Sequence, residues 1–253
     1  MMREFLGGLG APFRAIGLLS RVPRLRRLAM LPLLVNIVLF AIGVPLAVWG
    51  AVVLMGSVLP SQGAFQDLLR LFLQVTVAVA VMVASLFLFV IVGNVVAAPF
   101  NSALSEAIEA HLNGSPVVGG LGAFSGAVRG VRTALARLLL FLLFYPLIFA
   151  VQLVPVIGPV LHPILAILYG AFVLSLDFSD PTFERHLPRF RDRVGYIRRH
   201  KARYLGFGLT AVAMALVPII NFLLLPVGVA GAAMLYLESE GAVAKARGDT
   251  TDS

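Results

Sequence analysis

The chain has 253 residues, of which 60% are hydrophobic and only 13% are charged. Soluble globular domains carry about 25% charged residues, and a soluble fold of this size cannot bury so much apolar surface. The composition therefore excludes an ordinary soluble domain and indicates a membrane protein. The net charge is +8, but no helix-turn-helix, zinc or RNA-binding signature accompanies it, so we expect no nucleic-acid partner. The chain contains no cysteine, which excludes disulfides and thiolate metal sites.

The N-terminal segment, residues 1–27, predicts an amphipathic helix at the membrane surface. Bulky apolar side chains recur between residues 5 and 19, together with Arg3, Arg14 and Arg21, a pattern typical of interfacial helices. The glycines Gly7, Gly8 and Gly10 weaken this interpretation, because glycine is a poor helix former.

Four uncharged stretches follow, each longer than the roughly 18 residues that indicate a membrane helix. The first two lie within residues 28–105 and predict two spanning helices, joined on the far side by a turn that contains Pro60 and Gly63. The stretches are bounded by Arg27 and Asp67, Arg70 and Glu106, Arg137 and Asp177, and Arg203 and Glu238.

Proline-containing turns break the third and fourth stretches near their middle. Val154-Pro155-Val156-Ile157-Gly158-Pro159 interrupts residues 138–176, and Val217-Pro218-Ile219-Ile220-Asn221 interrupts residues 204–237. Proline ends a helix, and the remaining arms are shorter than the roughly 20 residues that cross a bilayer. We therefore favour two hairpins that enter the membrane and return on the same side. The alternative is one tilted, kinked span in each stretch.

The distribution of basic residues also favours hairpins. With two complete crossings and two hairpins, 19 of the 20 Lys and Arg residues fall on one side of the membrane. The positive-inside rule places that side, with both termini, in the cytoplasm. The segment 177–203 then becomes a basic cytoplasmic segment, interpreted as a solvated helix near lipid headgroups or, alternatively, as an anion-collecting surface. Residues 238–253 predict a flexible tail, and residues 1–253 a single integral membrane domain.

The predicted fold class is thus an all-α membrane protein. It combines two long transmembrane helices, two half-penetrating helical hairpins, an amphipathic N-terminal helix and cytoplasmic basic helices.

A cluster of arginines directly precedes the first span. The first turn of a helix offers unpaired N–H groups and a positive dipole end, and guanidinium groups bind tetrahedral oxyanions through paired hydrogen bonds. The cluster is therefore a candidate site for sulfate or phosphate, or alternatively a basic flank that sets the membrane topology. It consists of Arg24, Leu25, Arg26 and Arg27.

Polar residues around the two spans are candidates for a pore. Glu106 and Glu109 are three residues apart, so we expect them to share a helix face. They either pair with the arginines, gate an anion path or cap the membrane exit. Asn101 precedes them, and Asn36 lies within the first span, where it lines a pore or holds helices together. No enzyme signature or metal-ligand spacing is present in the sequence, so we expect no catalytic residue, metal or cofactor.

Several segments together resemble the CysZ sulfate permease family of bacteria, which is related to the etoposide-induced membrane protein group. The resemblance rests on the arginine cluster and the Pro-Leu-Leu-Val-Asn that follows at 32–36, and on Ala98-Pro99-Phe100-Asn101 with Glu106. It also rests on Gly206-Phe207-Gly208 and the final proline turn.

This resemblance implies sulfate uptake across the inner membrane for cysteine synthesis, by a homo-oligomer in contact with membrane lipid. It implies sulfate binding by Arg26 and Arg27, with the backbone at Arg24 and Leu25, and a pore or gating role for Glu106. One departure is Arg24, which stands where the family has glycine.

The sequence shows no ATP site and no carboxylate relay inside the spans. We therefore expect a passive, channel-like path. The alternatives are a membrane-shaping or scaffold protein without transport, and a channel for another oxyanion such as sulfite.

Overall fold

The computed structural model describes residues 1–58, 64–113 and 123–247. These described residues are helical apart from short connections and contain no β-strand. Their α-helices are α1 (Met2–Arg21), α2 (Pro23–Val58), α3 (Ala64–Asn113), α4 (Ala123–Val151), α5 (Gly158–His186), α6 (Phe190–Arg199), α7 (Lys201–Ala215) and α8 (Pro218–Arg247).

Among the described residues, three helical segments are long and apolar enough to cross a membrane, namely Asp67–Ser85, Gly158–His186 and Leu223–Gly241. The prediction of an all-α membrane protein is confirmed at this level. The predicted turn with Pro60 and Gly63 lies outside the described residues.

The chain forms two compact units. The unit Met30–Phe100 contains most of α2 and α3. Most of its described large apolar side chains, including Phe40, Trp49 and Phe72, are exposed. Helices that are apolar on the outside suit a lipid environment.

The second unit combines Met1–Ala29 with Asn101–Ser253. Its core is built where glycines allow helix backbones to touch. A Cβ at Gly8 would overlap the carbonyl of Arg203 on α7, and a Cβ at Gly208 would overlap the carbonyl of Ala171 on α5. Gly8 therefore supports α1 instead of weakening it, because close packing outweighs the low helix propensity of glycine.

The two predicted proline turns are present, and each joins antiparallel helices. Around the first turn, the Tyr169 hydroxyl of α5 donates to the Leu140 carbonyl of α4 at 3.2 Å, and the ring of His162 meets Phe149 edge-on. Around the second, Arg203 at the start of α7 donates to Ser239 near the end of α8 at 2.7 Å. These helices extend beyond the uncharged arms, since α5 continues to His186.

The helix α8 extends into the segment 238–253, for which the sequence predicts a flexible tail. The helix continues to Arg247, and only residues 248–253 of the predicted tail lie outside the described residues. Polar contacts hold the start of this segment. Arg14 binds Glu238 at 3.1 Å, and Tyr196 donates to Glu240 at 2.9 Å.

Val156, in the turn between α4 and α5, has a φ of 67°. This left-handed conformation costs a β-branched residue about 1–3 kcal/mol. Val156→Gly is therefore expected to stabilise the protein by about 1 kcal/mol, after subtracting the roughly 0.5–1 kcal/mol that glycine loses in chain entropy. Thermal unfolding in detergent measures this as a melting temperature a few degrees higher. Val154→Gly, in the same turn but without a positive φ, is the matched control and should lower the melting temperature.

Candidate functional site

The predicted arginine cluster forms the first turn of α2, which begins at Pro23. Proline suits this position because it has no N–H to leave unpaired. A helical N–H donates to the carbonyl four residues earlier, and the first such bond of this helix runs from the N–H of Arg26 to the Val22 carbonyl at 3.1 Å. The N–H groups of Arg24 and Leu25 therefore remain at the helix start, where the helix dipole favours an anion.

Burial separates the members of this cluster. Leu25 is only 1% exposed and belongs to the same apolar core as Leu104 and Ile108 of α3. Arg24, Arg26 and Arg27 are exposed. None of the three forms a salt bridge with a carboxylate in the part of the chain that the structure describes. Leu25 thus anchors the turn, and the three exposed arginines stand on the same turn as the N–H groups of Arg24 and Leu25.

The predicted pore residues are in different environments. Glu106 is exposed and Asn101 is partly buried, both on the C-terminal part of α3. Asn36 lies on α2, but its side chain is outside the described residues. Glu109 is fully buried. Glu106 and Glu109 are neighbours on α3, but their environments differ, since Glu106 is exposed and Glu109 is buried.

Glu109 is buried because it has two partners on α5. Its Oε1 accepts from Arg185, and its Oε2 lies 2.9 Å from Nε2 of His186. Arg185 also donates to Ser105 at 2.6 Å, and Ser105 is 2.7 Å from the Thr182 hydroxyl. The result is a polar cluster that joins the C-terminal part of α3 to the C-terminal part of α5.

The electrostatics of the cluster keep Glu109 ionised. Burial raises the pKa of the Glu109 carboxyl, but the hydrogen bonds from His186 and Arg185 and their positive charges outweigh it. The net pKa therefore lies below the ordinary value. A buried carboxylate is stable when it is paired and hydrogen-bonded in this way.

Sequence reasoning missed Arg185 and His186 as functional candidates. Both stand in the basic segment 177–203, which was interpreted as solvated. The available signal was Glu109 itself, which borders the apolar face formed by Leu104 and Ile108. A carboxylate on an apolar face needs a cationic partner, although the local pattern cannot say which one.

The basic segment is only partly solvated. Arg193 is 1% exposed, pairs with Asp180 and donates to the Leu187 carbonyl at 2.9 Å. The solvated interpretation is wrong for Arg185 and Arg193, which hold helices together. It fits the exposed members of the segment, Arg189, Arg191, Arg198, Arg199 and Lys201.

Comparison with known proteins identifies relatives over most of the chain. A family model described as "Sulfate transporter CysZ/Etoposide-induced protein 2.4" matches residues 11–226. A protein of Pectobacterium atrosepticum named Sulfate transporter CysZ is 30% identical over 227 residues, which cover 87% of this chain and 81% of the relative. Proteins of the same name from Salmonella paratyphi A and Vibrio cholerae are 28% and 29% identical, and each alignment covers 87% of this chain and 88% of the relative.

The resemblance to this family is therefore confirmed, and the family is one of transporters, not enzymes. From the match of its sequence over residues 11–226, the chain belongs to the Sulfate transporter CysZ/Etoposide-induced protein 2.4 family.

Proposed function

We propose that this chain is a passive, channel-like permease that carries sulfate across the bacterial inner membrane and supplies sulfate assimilation and cysteine biosynthesis. The observation that carries the proposal is the start of α2. Three exposed arginines without a salt bridge to a carboxylate among the described residues share this turn with the N–H groups of Arg24 and Leu25, which lie at the helix start. The choice of sulfate as the substrate rests on the curated relatives, which are named Sulfate transporter CysZ.

The chemistry of this turn suits a tetrahedral dianion. Arg26 and Arg27 supply forked donors that match the geometry of sulfate oxygens, and the N–H groups of Arg24 and Leu25 add two further donors. Exposure keeps the binding modest, because water competes for both the anion and the guanidinium groups. A channel requires such modest affinity, since a tightly held ion does not leave the site.

The arginine at position 24 changes the site relative to the family pattern. Where the family has glycine, the backbone can approach an anion closely. Here the Arg24 side chain is exposed and adds a third positive charge. In this proposal, Arg24 attracts the anion by charge, and Arg26 and Arg27 provide the directional hydrogen bonds.

The membrane placement in this proposal has two complete crossings, two same-side hairpins and cytoplasmic termini. The antiparallel pairs α4–α5 and α7–α8 support the hairpins, because each pair turns at a predicted proline break. The alternative of one kinked span in each stretch would place the basic segment 177–203 outside the cytoplasm, against the positive-inside rule.

The helix α1 lies at the membrane interface in this proposal and contacts lipid through the exposed Leu6, Phe13 and Ile16. We further propose that the protein acts as a homo-oligomer.

Glu106 is the proposed gating residue, since an exposed carboxylate on α3 repels sulfate unless cations balance it. Asn101 and Asn36 are proposed to line the path with uncharged donors. Glu109, also predicted as a pore or gating residue, contributes through its buried ion pair.

Replacing Arg26 and Arg27 by alanine is expected to lower sulfate flux at least tenfold. Each lost charge-assisted hydrogen bond is worth about 1.5–3 kcal/mol. Uptake of radiolabelled sulfate into proteoliposomes measures the loss. The matched control is Arg198→Ala with Arg199→Ala, which removes the same charge from an exposed part of α6 and should leave flux within about twofold of the wild type.

Four outcomes would contradict the proposal. Equal flux in both double variants would remove the α2 turn as the anion site. A requirement for ATP would exclude the passive mechanism. Absence of sulfate flux in the wild type would favour the scaffold alternative. Stronger inhibition of radiolabelled sulfate uptake by unlabelled sulfite than by unlabelled sulfate would favour a channel for sulfite.

A further inference from the structure

We propose that Arg185 and His186 are positioning residues that hold α3 in one rotational setting, with Glu109 inward and Glu106 outward toward the anion path. The inference rests on the proposed function, because it assigns Glu106 its place in that path. It concerns a contact between α3 and α5 within one compact unit.

The polar contacts of the C-terminal part of α3 converge on the last turn of α5. Both oxygens of Glu109 are used, one by Arg185 and the other by His186. One helical turn earlier on α3, Ser105 contacts Arg185 and the Thr182 hydroxyl. Two successive turns of α3 are therefore fixed against the same short piece of α5, residues 182–186.

The apolar contacts of this segment are less selective. Leu104 and Ile108 are buried in the core beside the polar pair Ser105 and Glu109. Burial of apolar side chains has no directional preference, so Leu104 and Ile108 tolerate a modest rotation of the helix. Hydrogen-bonded charges do not, because their geometry is specific.

An alternative rotational setting of α3 would place Glu106, instead of Glu109, beside Arg185. Glu106 lies three residues before Glu109, which places the two carboxylates about 60° apart around the helix axis. Rotating α3 by that angle would bring Glu106 toward Arg185 and carry Glu109 deeper into the buried face, away from its partners. The simultaneous use of both Glu109 oxygens by Arg185 and His186 on α5 selects the observed setting, in which Glu106 is exposed.

The partner set also accounts for the burial of Glu109. A carboxylate with no exposed surface is stable only when cations and hydrogen bonds replace its water. Removing Arg185 leaves one of the two oxygens without its partner. The carboxylate then gains by moving toward water, so α3 is no longer held in the observed rotational setting and the side chains buried beside Glu109 become accessible.

The absence of cysteine from the chain allows a direct test of this rotation. Single cysteines are introduced at the buried Ile108 and at the exposed His111, and the purified protein is labelled with a hydrophilic maleimide. We expect Ile108→Cys to be protected and His111→Cys to react. Adding Arg185→Gln should raise the labelling rate at position 108 at least tenfold, whereas Arg185→Lys, which keeps the charge, should retain most of the protection.

Arg189→Gln is the matched control, because Arg189 is an exposed arginine of the same basic segment. It should leave the labelling of both positions unchanged. Folding is monitored by size-exclusion elution and helical circular dichroism. If Arg185→Gln does not fold, His186→Gln provides the second test, with the same expected increase at position 108.

Sulfate flux provides the readout that a merely structural contact would not change. If Arg185 acts by placing Glu106, the effects of Arg185→Gln and Glu106→Gln on flux should be non-additive. Once α3 is no longer held by Arg185, neutralising Glu106 should change flux by less than twofold. Additive effects, or continued protection of Ile108→Cys when it is combined with Arg185→Gln and with His186→Gln, would overturn the inference. Loss of sulfate flux in Arg26→Ala with Arg27→Ala tests the proposed function separately, and the labelling result does not depend on it.

Discussion

Substituting Gly208 by alanine is expected to destabilise the protein by about 3 kcal/mol or more and to lower the yield of folded protein. A Cβ at this position would overlap the backbone carbonyl of Ala171 and would lie 2.6 Å from Oγ of Ser175. Overpacking usually costs about 1–3 kcal/mol. The cost here lies at the upper end, because a helix backbone has to move. Thermal unfolding of detergent-solubilised protein should show a melting temperature lower by roughly 10 °C.

Gly17→Ala on α1 is the matched control for this substitution, since no atom lies within 4 Å of the added Cβ. Alanine favours a helix over glycine by about 1 kcal/mol, so this variant should be slightly more stable than the wild type. Gly8→Ala tests the same principle at the contact between α1 and α7 and should resemble Gly208→Ala. Similar melting temperatures for all three variants would show that the helices have room to separate without cost.

These glycines mark the limit of what the sequence predicts about the fold. Hydropathy and proline positions are local signals, and they predicted the apolar helices and the breaks at Pro155 and Pro218. The role of a glycine depends on which helix faces it. Gly8 therefore counted against a helix in the local pattern, although α1 packs on α7 at this residue.

In the candidate site, too, local features could be predicted from the sequence and tertiary contacts could not. The arginines at 24, 26 and 27 were predictable because a helix start and its flanking charges are adjacent in the chain. The different environments of Glu106 and Glu109 were not, because they depend on Arg185 and His186, which are distant in sequence and fold back from α5. Spacing along one helix gives the angle between two side chains, but tertiary partners decide which of them is buried.

Asp180→Asn is expected to destabilise the protein by about 3–5 kcal/mol, the usual cost of removing one partner of a buried ion pair. Arg193 is almost fully buried and pairs with Asp180. Its Nη2 has no partner among the described residues, so the loss of the carboxylate leaves an uncompensated buried charge. Chemical unfolding in detergent, followed by circular dichroism, measures the change. Asp192→Asn, an exposed acidic residue on α6, is the control and should stay within about 0.5 kcal/mol of the wild type.

Replacing both partners distinguishes a buried pair from a solvated one. Asp180→Leu with Arg193→Met removes both charges and keeps apolar volume, so no charge is left without a partner. Such replacements are often neutral or stabilising, and we expect the double variant to recover most of the stability that Asp180→Asn loses. If Asp180→Asn were as stable as the wild type, Arg193 would be hydrated in solution, and the interpretation of 177–203 as a solvated basic helix would apply to this arginine as well. Recovery in the double variant would instead show that Arg193 fastens α6 to α5, and that only the exposed arginines of the segment are available to lipid or anions.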